Sequence, residues 1–479
     1  MDWEELIRLG EASEFGLEYE KSALLYAQAM DTTEGRSHGA RRLASLRLKT
    51  GDPEESLRLG RLAVQANPLD YLASSSMIYA QQCLSESTPE EILQAHLDWA
   101  QTFTSELQQF PARASTSQKN GKRKLGFISP DLIQRHPVLS FLHPILDHIN
   151  RDKFDIYLYS CCEFPDATTG AILKKATHPR QFSPHSLPEA SAQIWQDQLD
   201  LLIDLSGHAS NHALMVLATK PCQRQATYLG YPNTTGLNQI DYRLVDVWSD
   251  PPGLTDRWNT EKLIRLPQCA WCFAPLDVGK VSFIPPVENQ SFITFGCFNN
   301  PTKFSNLTLH MWKVILSEVP HSRLIMKSSS FVEPEGKKRM TDKLSSLEMP
   351  IDRILLQSPL PYIDHLKFYR QIDIALDTFP YHGTTTTCEA LWMGVPVITL
   401  AGSTHISRVG ASLLHQVHLD ELIALDSRGY IQAAVDLAQD FPRLQSYHLT
   451  LRDQLKASML LNPLAFMKDF EKTVVEMMA

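Results

Sequence analysis

The chain has 479 residues, with 54 acidic against 45 basic side chains and a formal net charge of −9. This length exceeds what one hydrophobic core usually holds, so we expect two or three domains. The negative charge argues against a general nucleic-acid or anionic-membrane surface, and no apolar run reaches the roughly 18 residues that a membrane-spanning helix needs.

Residues 1–115 are predicted to form a helical domain. The first residues, Met1 to Glu5, are acidic and lack the basic and apolar regions of a signal peptide, so we expect a cytoplasmic protein. Alanine and leucine then recur at helical spacing. Two similar segments, which begin at Gly16 and Gly51, are offset by about 34 residues, the period of tetratricopeptide repeats. A plain helical bundle is the alternative.

From Leu125 onwards, short apolar runs alternate with longer amphipathic stretches, a pattern typical of parallel α/β sheets. A proline-rich stretch separates two such series, so we expect one α/β domain over residues 116–285 and a second over residues 286–479. The predicted buried strands are residues 125–128, 156–159, 201–205, 226–229, 292–297, 324–327, 354–356, 372–376 and 395–400. Ligands of such sheets bind beyond the carboxyl ends of the strands.

The eight cysteines are scattered along the chain, as expected in a reducing compartment. Cys269 and Cys272 form a CxxC pair. A structural zinc site needs two further ligands at similar spacing, and the sequence offers no obvious ones. We therefore predict two buried or half-buried thiols here and no metal site.

One ligand-binding pattern follows the predicted strand 372–376. Gly383 permits a tight turn, and the threonines from Thr384 to Thr387 open a helix whose N–H groups and hydroxyls can bind phosphate. Glu389 lies about one turn further along, where a carboxylate can accept hydrogen bonds from ribose hydroxyls. The alternative is a threonine-rich N-cap of a core helix.

A second polar cluster follows the predicted strand 292–297. It contains Phe298, Asn299 and Lys303. A lysine in this place can neutralise a leaving diphosphate as the negative charge on that group grows. The alternative is an ordinary surface lysine in a loop.

Two histidines follow strands of the first predicted α/β domain. His136 comes after strand 125–128, and His208 comes after strand 201–205. Histidines at strand ends that face one cleft can act as a general base or bind an acceptor. For each of them, a hydrogen-bonded structural histidine is the alternative.

Six segments, taken in order, resemble the SPINDLY and O-GlcNAc transferase family, which is glycosyltransferase family 41. With the short helical-repeat N-terminus, the resemblance covers nearly the whole chain. The segments are residues 204–208 (DLSGH), 229–236 (LGYPNTTG), 241–243 (DYR), 250–253 (DPPG), 295–300 (FGCFNN) and 376–396.

The resemblance implies a GT-B fold of two Rossmann-like domains and an inverting transfer of sugar to protein Ser or Thr without a metal. The nucleotide sugar would bind mainly to the second of these domains. Lys303 would contact its diphosphate, and Thr385 and Thr386 would donate hydrogen bonds to it. Glu389 would hold the ribose. The rest of the predicted donor site consists of Phe298, Asn299, Leu360, His365, Gly383 and Thr384, with the Leu360 backbone and the His365 side chain flanking the base.

The same resemblance bears on the catalytic histidines and on the donor. His136 matches a family histidine in the catalytic cleft, whereas His208 lies where bacterial and plant-like members have histidine and animal members have tyrosine. Animal members also have a histidine where this chain has Thr384, and the four-threonine version is closer to SPINDLY and bacterial members. Two donors therefore stay open, UDP-N-acetylglucosamine and a GDP-fucose or other hexose donor.

Other functions also stay open. The chain could be a non-catalytic helical-repeat scaffold with a degenerate transferase body, a transferase directed to Asn, or an epimerase that acts on a nucleotide sugar. The expected partners are a nucleotide-sugar donor and a protein acceptor, without nucleic acid. A homo-oligomer is a further possibility.

Overall fold

The computed structural model describes residues 1–112, 121–134, 136–183, 186–209, 211–279 and 284–479. The chain forms two compact units. The first unit contains residues 1–87 and 275–456, and the second unit contains residues 88–274 and 457–479. These units group the chain differently from the three segments expected from the sequence, and the domain boundaries proposed there stay a prediction.

The N-terminal region is helical, as predicted. Its helices are α1 (Trp3–Phe15), α2 (Tyr19–Met30), α3 (Arg36–Lys49), α4 (Pro53–Ala66), α5 (Tyr71–Gln81) and α6 (Pro89–Thr104). Helices α1 to α5 pack consecutively in the first unit, whereas α6 belongs to the second unit. Small residues permit the close approach of neighbouring helices, since a Cβ atom at Gly39 would lie 2.4 Å from the main-chain nitrogen of Met30.

The second unit contains a parallel sheet with the strand order β3-β2-β1-β4-β5-β6-β7. Its strands are β1 (Arg123–Ser129), β2 (Phe154–Ser160), β3 (His178–Gln181), β4 (Leu201–Asp204), β5 (Gln225–Thr227), β6 (Tyr242–Asp246) and β7 (Lys262–Leu266). The helices between these strands are α7 (Leu139–His148), α8 (Ala167–Leu173), α9 (Leu187–Asp197) and α10 (Leu214–Ala218). Strands β1, β2, β4 and β5 match the predicted ones.

The first unit contains a second parallel sheet with the order β10-β9-β8-β11-β12-β13. Its strands are β8 (Thr294–Cys297), β9 (Arg323–Lys327), β10 (Ile354–Gln357), β11 (Ile374–Leu376), β12 (Val397–Leu400) and β13 (Ile423–Ala424). The helices of this half of the chain are α11 (Asn306–Glu318), α12 (Pro334–Ser346), α13 (Tyr362–Phe368), α14 (Thr385–Trp392), α15 (Val409–His415), α16 (Ser427–Gln439), α17 (Phe441–Ala457) and α18 (Pro463–Met478). Helix α18 lies in the second unit.

Two parallel sheets with helices, preceded by a helical segment, confirm the predicted α/β fold class with two Rossmann-like domains. Within the described residues, every helix is too short or too polar to cross a lipid bilayer.

Candidate functional site

The loop between β11 and α14 is folded around the buried carboxylate of Asp377. The Gly383 N–H donates to one carboxylate oxygen at 2.8 Å, and the Thr399 hydroxyl donates to the other at 2.8 Å. From the other side, the Tyr430 hydroxyl donates to the Asp377 carbonyl at 2.7 Å. Because Asp377 connects β11, β12 and the loop, it fixes where helix α14 begins.

Three residues of the predicted donor site meet at this loop. The Thr386 hydroxyl donates to the side-chain oxygen of Asn299, and the Asn299 amide donates to Asp377 at 3.2 Å. A Cβ atom at Gly383 would lie 2.4 Å from the Thr386 hydroxyl oxygen and 2.7 Å from the Asn299 side-chain oxygen. The space therefore admits only glycine at position 383 without displacing these groups.

Helix α14 begins without a side-chain cap, because the Thr384 side chain makes no capping hydrogen bond. The Thr385 hydroxyl oxygen is buried and has no hydrogen-bond partner among the described residues. Backbone N–H groups at a helix start carry partial positive charge and attract anions. The start of α14 is therefore suited to a phosphate group.

Lys303 ends a short turn, Pro301–Lys303, that follows β8. Its ammonium nitrogen donates to the carbonyl of His382 at 2.8 Å and lies 3.9 Å from the centroid of the Tyr381 ring. Burial lowers the pKa of Lys303 to about 8, although the nearby carboxylate of Asp377 acts to raise it. The side chain is half-buried and fixed, unlike the ordinary surface lysine considered above.

His382 is a residue for which the sequence suggested no role. The Gly410 N–H donates to its Nδ1 at 3.0 Å, so Nδ1 is unprotonated and Nε2 donates to the Leu400 carbonyl at 2.9 Å. Burial lowers the pKa of His382, which keeps this ring neutral. The neutral ring fixes the carbonyl that holds Lys303.

Glu389 lies one helical turn inside α14 and is buried. The Tyr362 hydroxyl donates to one carboxylate oxygen at 2.9 Å, and Nε2 of His365 lies 2.9 Å from the other. Nδ1 of His365 is buried without a hydrogen-bond partner among the described residues. The structure thus brings two predicted donor-site residues, Glu389 and His365, into direct contact.

Aromatic rings extend this group of side chains. The Phe298 ring lies 5.8 Å from the His365 ring and 4.5 Å from the Tyr369 ring. Leu360 is half-buried in the loop that leads into α13. Lys327, at the end of β9, was not predicted as a site residue. Its ammonium nitrogen lies 4.9 Å from the Phe298 ring, and burial lowers its pKa to about 8.

His208 lies in the second unit inside a buried aromatic cluster. Its Nε2 lies 2.9 Å from the Thr235 carbonyl, and its ring lies 5.0 Å from His96 and 4.7 Å from Trp99. Burial lowers the pKa of His208 to about 4. This environment is that of a hydrogen-bonded structural histidine, the alternative considered above.

His136 also lies in the second unit, after β1, and is half-buried. Its Nε2 lies 3.6 Å from a carboxylate oxygen of Asp131. Among the described residues, Nδ1 of His136 and the second carboxylate oxygen of Asp131 are buried without hydrogen-bond partners. Burial raises the pKa of Asp131. The pair is therefore incompletely bonded, in contrast to the enclosed ring of His208.

The cysteines give no sign of a metal centre. All eight are buried free thiols, including Cys269 and Cys272. In the part of the chain that the structure describes, no three His, Cys, Asp or Glu side chains are grouped so as to hold a metal ion.

Comparison with known proteins gives concordant results. A model of glycosyl transferase family 41 matches residues 75–273 and 287–470. The probable UDP-N-acetylglucosamine–peptide N-acetylglucosaminyltransferase SPINDLY of Solanum lycopersicum is 36% identical over 405 residues, which are 83% of this chain and 43% of that protein. The protein of the same name from Arabidopsis thaliana is 36% identical over 403 residues, 82% of this chain and 43% of its own. The chain thus spans less than half the length of these curated relatives.

Among solved structures, a mutant of the Thermobaculum terrenum O-GlcNAc transferase has the same fold, with a TM-score of 0.92 and 30% sequence identity. The match covers 99% of this chain and 90% of the other.

Proposed function

Because this chain belongs to glycosyl transferase family 41, we propose that it transfers a sugar from a nucleotide-diphosphate donor to a protein side chain. One observation carries the proposal. The ammonium group of Lys303 and the uncapped start of helix α14 are both fixed by the loop that folds around Asp377. A cation bonded to this loop and open N–H groups at the loop's end form an arrangement suited to a diphosphate.

The donor nucleotide would lie along the same unit. Lys303 and the N–H and hydroxyl groups of Thr385 and Thr386 would bind the diphosphate. Glu389 would accept hydrogen bonds from the ribose, and His365 would lie beside the base. The names of the similar plant proteins favour N-acetylglucosamine carried by UDP as the first donor to test, with GDP-fucose or another hexose donor as the second.

In the proposed inverting mechanism, the hydroxyl of an acceptor Ser or Thr attacks the anomeric carbon from the face opposite the diphosphate. The new carbon–oxygen bond forms while the bond between the anomeric carbon and the diphosphate oxygen breaks. The negative charge that accumulates on the diphosphate is stabilised by Lys303 and the start of α14. The mechanism needs no metal, because hydrogen-bond donors of the protein stabilise this negative charge.

The acceptor hydroxyl must lose its proton to a base or to water. Of the two predicted histidines, we favour His136, because its ring and Asp131 keep buried atoms without hydrogen-bond partners among the described residues. His208 is enclosed by aromatic rings and is held at the Thr235 carbonyl.

A donor panel tests the proposal. Purified protein is incubated with UDP- and GDP-sugars and with Ser/Thr-containing or Asn-containing peptides, and nucleoside diphosphate release and intact peptide mass are measured. We expect one donor to give both diphosphate release and a peptide of increased mass. Nucleotide binding without release or transfer would support the scaffold instead, and a new nucleotide sugar formed without acceptor would support an epimerase. Sugar transfer only to the Asn-containing peptides would show that the acceptor is Asn and not Ser or Thr.

A further inference from the structure

Helix α5 of the N-terminal segment touches the loop that holds Lys303. The hydroxyls of Tyr79 and Tyr381 lie 3.0 Å apart, and their rings lie 5.8 Å apart. Cys83, one turn further along, packs with Tyr381 and Ile406 in a small buried cluster. The Tyr381 side chain is only 8% exposed, so its ring is held on the helical side by both a hydrogen bond and apolar packing.

The same Tyr381 ring supports the lysine. The Lys303 ammonium lies 3.9 Å from the ring centroid, well inside the range of a cation–π contact. The Lys303 ammonium also donates a hydrogen bond to the carbonyl of His382, the residue that follows Tyr381. A change in the orientation of the Tyr381 ring would therefore move or resolvate the ammonium group.

A second contact joins the helical segment to the turn that carries Lys303. The Thr302 hydroxyl donates to the carbonyl of Leu48 at the end of α3. Gly51 follows with a φ of +93°, and a Cβ atom there would lie 2.6 Å from Cβ of Pro301. The turn Pro301–Lys303 thus packs against the junction between α3 and α4. Glycine is required at position 51, where the two backbones approach most closely.

We propose that the N-terminal helices are a structural part of the donor site, and that Tyr79 is a positioning residue that acts on Lys303 through Tyr381. This role differs from that of a docking surface for acceptor proteins. The expected effect of Tyr79 on kcat rests on the proposed function, in which Lys303 stabilises the leaving diphosphate. The expected effect of Tyr79 on the surroundings of the Lys303 amine does not depend on turnover.

The kinetic test uses Tyr79→Phe in the full chain. Loss of the hydroxyl contact is expected to lower kcat about fivefold, which is the scale of one hydrogen bond, and to leave the donor KM within about twofold. This difference between kcat and KM arises because the diphosphate carries more negative charge in the transition state than in the bound donor. In a Lys303→Ala background, Tyr79→Phe should have no further effect. If Tyr79→Phe lowers kcat equally in the wild type and in Lys303→Ala, the effect is a general structural one and the proposal is overturned.

A matched control lies in the same helical segment. The Tyr19 hydroxyl is buried without a hydrogen-bond partner among the described residues, so Tyr19→Phe removes a hydroxyl but no bond. We expect wild-type kcat for this variant. Tyr381→Phe removes the Tyr79 bond from the other side and should reproduce the Tyr79→Phe phenotype, with no additional loss when both are combined.

A labelling test works even if no donor is turned over. The rate of acetylation of the Lys303 amine by a trace of acetic anhydride is measured by peptide mass spectrometry across pH. The midpoint for the wild type is expected near the pKa of about 8 that burial produces. In Tyr79→Phe, water reaches the amine and the midpoint moves upward, towards the ordinary lysine value. An unchanged midpoint overturns the positioning role, whereas a shifted midpoint in a protein without transferase activity refutes only the proposed function.

Discussion

The side-chain ammonium of Lys303 donates a 2.8 Å hydrogen bond to the main-chain carbonyl of His382. This bond fixes the cation without neutralising its charge, because its acceptor is a carbonyl. The side chain is therefore prepared for an anionic ligand before any ligand arrives.

Replacing this cation should affect the chemical step strongly. We expect Lys303→Ala to lower kcat by about a hundredfold to a thousandfold, the usual effect of removing one preorganised donor to a developing charge. Steady-state kinetics with the productive donor measure this change. Lys338→Ala is the matched control, because that lysine is exposed and, among the described residues, bonds only to Asp342 on the surface of α12. Wild-type turnover in Lys303→Ala would remove the proposed role.

The charge of Lys303 should also determine the alkaline side of the pH profile. The pKa of this lysine is lowered to about 8 by burial, so the group is cationic below that pH and becomes neutral above it. We expect kcat/KM, which reports the free enzyme, to fall as the pH rises through about 8. A Lys303→Ala variant should lack this descending limb, and its persistence would assign the limb to another group.

Replacing Gly383, in the loop before helix α14, should weaken nucleotide binding. In Gly383→Ala the new methyl group would lie 2.4 Å from the Thr386 hydroxyl and 2.7 Å from the Asn299 side-chain oxygen. We expect the Kd for the nucleoside diphosphate to rise about tenfold, which corresponds to about 1.4 kcal/mol. Calorimetric titration measures the change. Gly170→Ala is the control, because a Cβ atom there meets nothing within 4 Å, and its nucleotide affinity should match that of the wild type.

The buried histidines of the second unit should make the protein sensitive to acid. Burial lowers the pKa of His208 to about 4 and those of His96 and His212 well below the ordinary value. The unfolded chain therefore binds these protons between about pH 6.5 and pH 4 while the native protein does not, so stability falls as the pH is lowered through this window.

For His208 alone, we expect the free energy of unfolding to be about 2 kcal/mol lower at pH 5 than at pH 7, from the difference between its folded and unfolded pKa values. Urea unfolding at the two pH values measures it. His208→Gln keeps an N–H group for the Thr235 carbonyl but cannot titrate, so its stability should depend less on pH. Identical pH dependence in the two proteins would contradict this assignment.

Much of the donor site follows from the sequence, for a simple reason. Apolar runs locate the strands β8 and β11, and the residues after two adjacent parallel strands must meet at one sheet edge. Asn299 and Gly383 are therefore predictable as neighbours. The role of Asp377 is not, since its bonds to Thr399 and Gly383 depend on how the chain returns through β12.

Other features carry little signal in the sequence. Strand β3, with the sequence His-Pro-Arg-Gln, is a partly exposed edge strand without an apolar pattern. Strand β7 mixes Lys262 and Arg265 with apolar residues. The contact between Tyr79 and Tyr381 joins residues far apart in the chain, and only the folded first unit brings them together.

Helix α6 supplies His96 and Trp99 to the cluster around His208, although it follows the helices of the first unit in the chain. The polypeptide passes from one unit to the other near residues 87, 274 and 456. A fragment that starts at residue 116 would expose the apolar surroundings of His208, and one that ends near residue 456 would lack α18. Neither unit can thus be excised as an uninterrupted stretch of chain, because each is assembled from segments that lie far apart in the sequence.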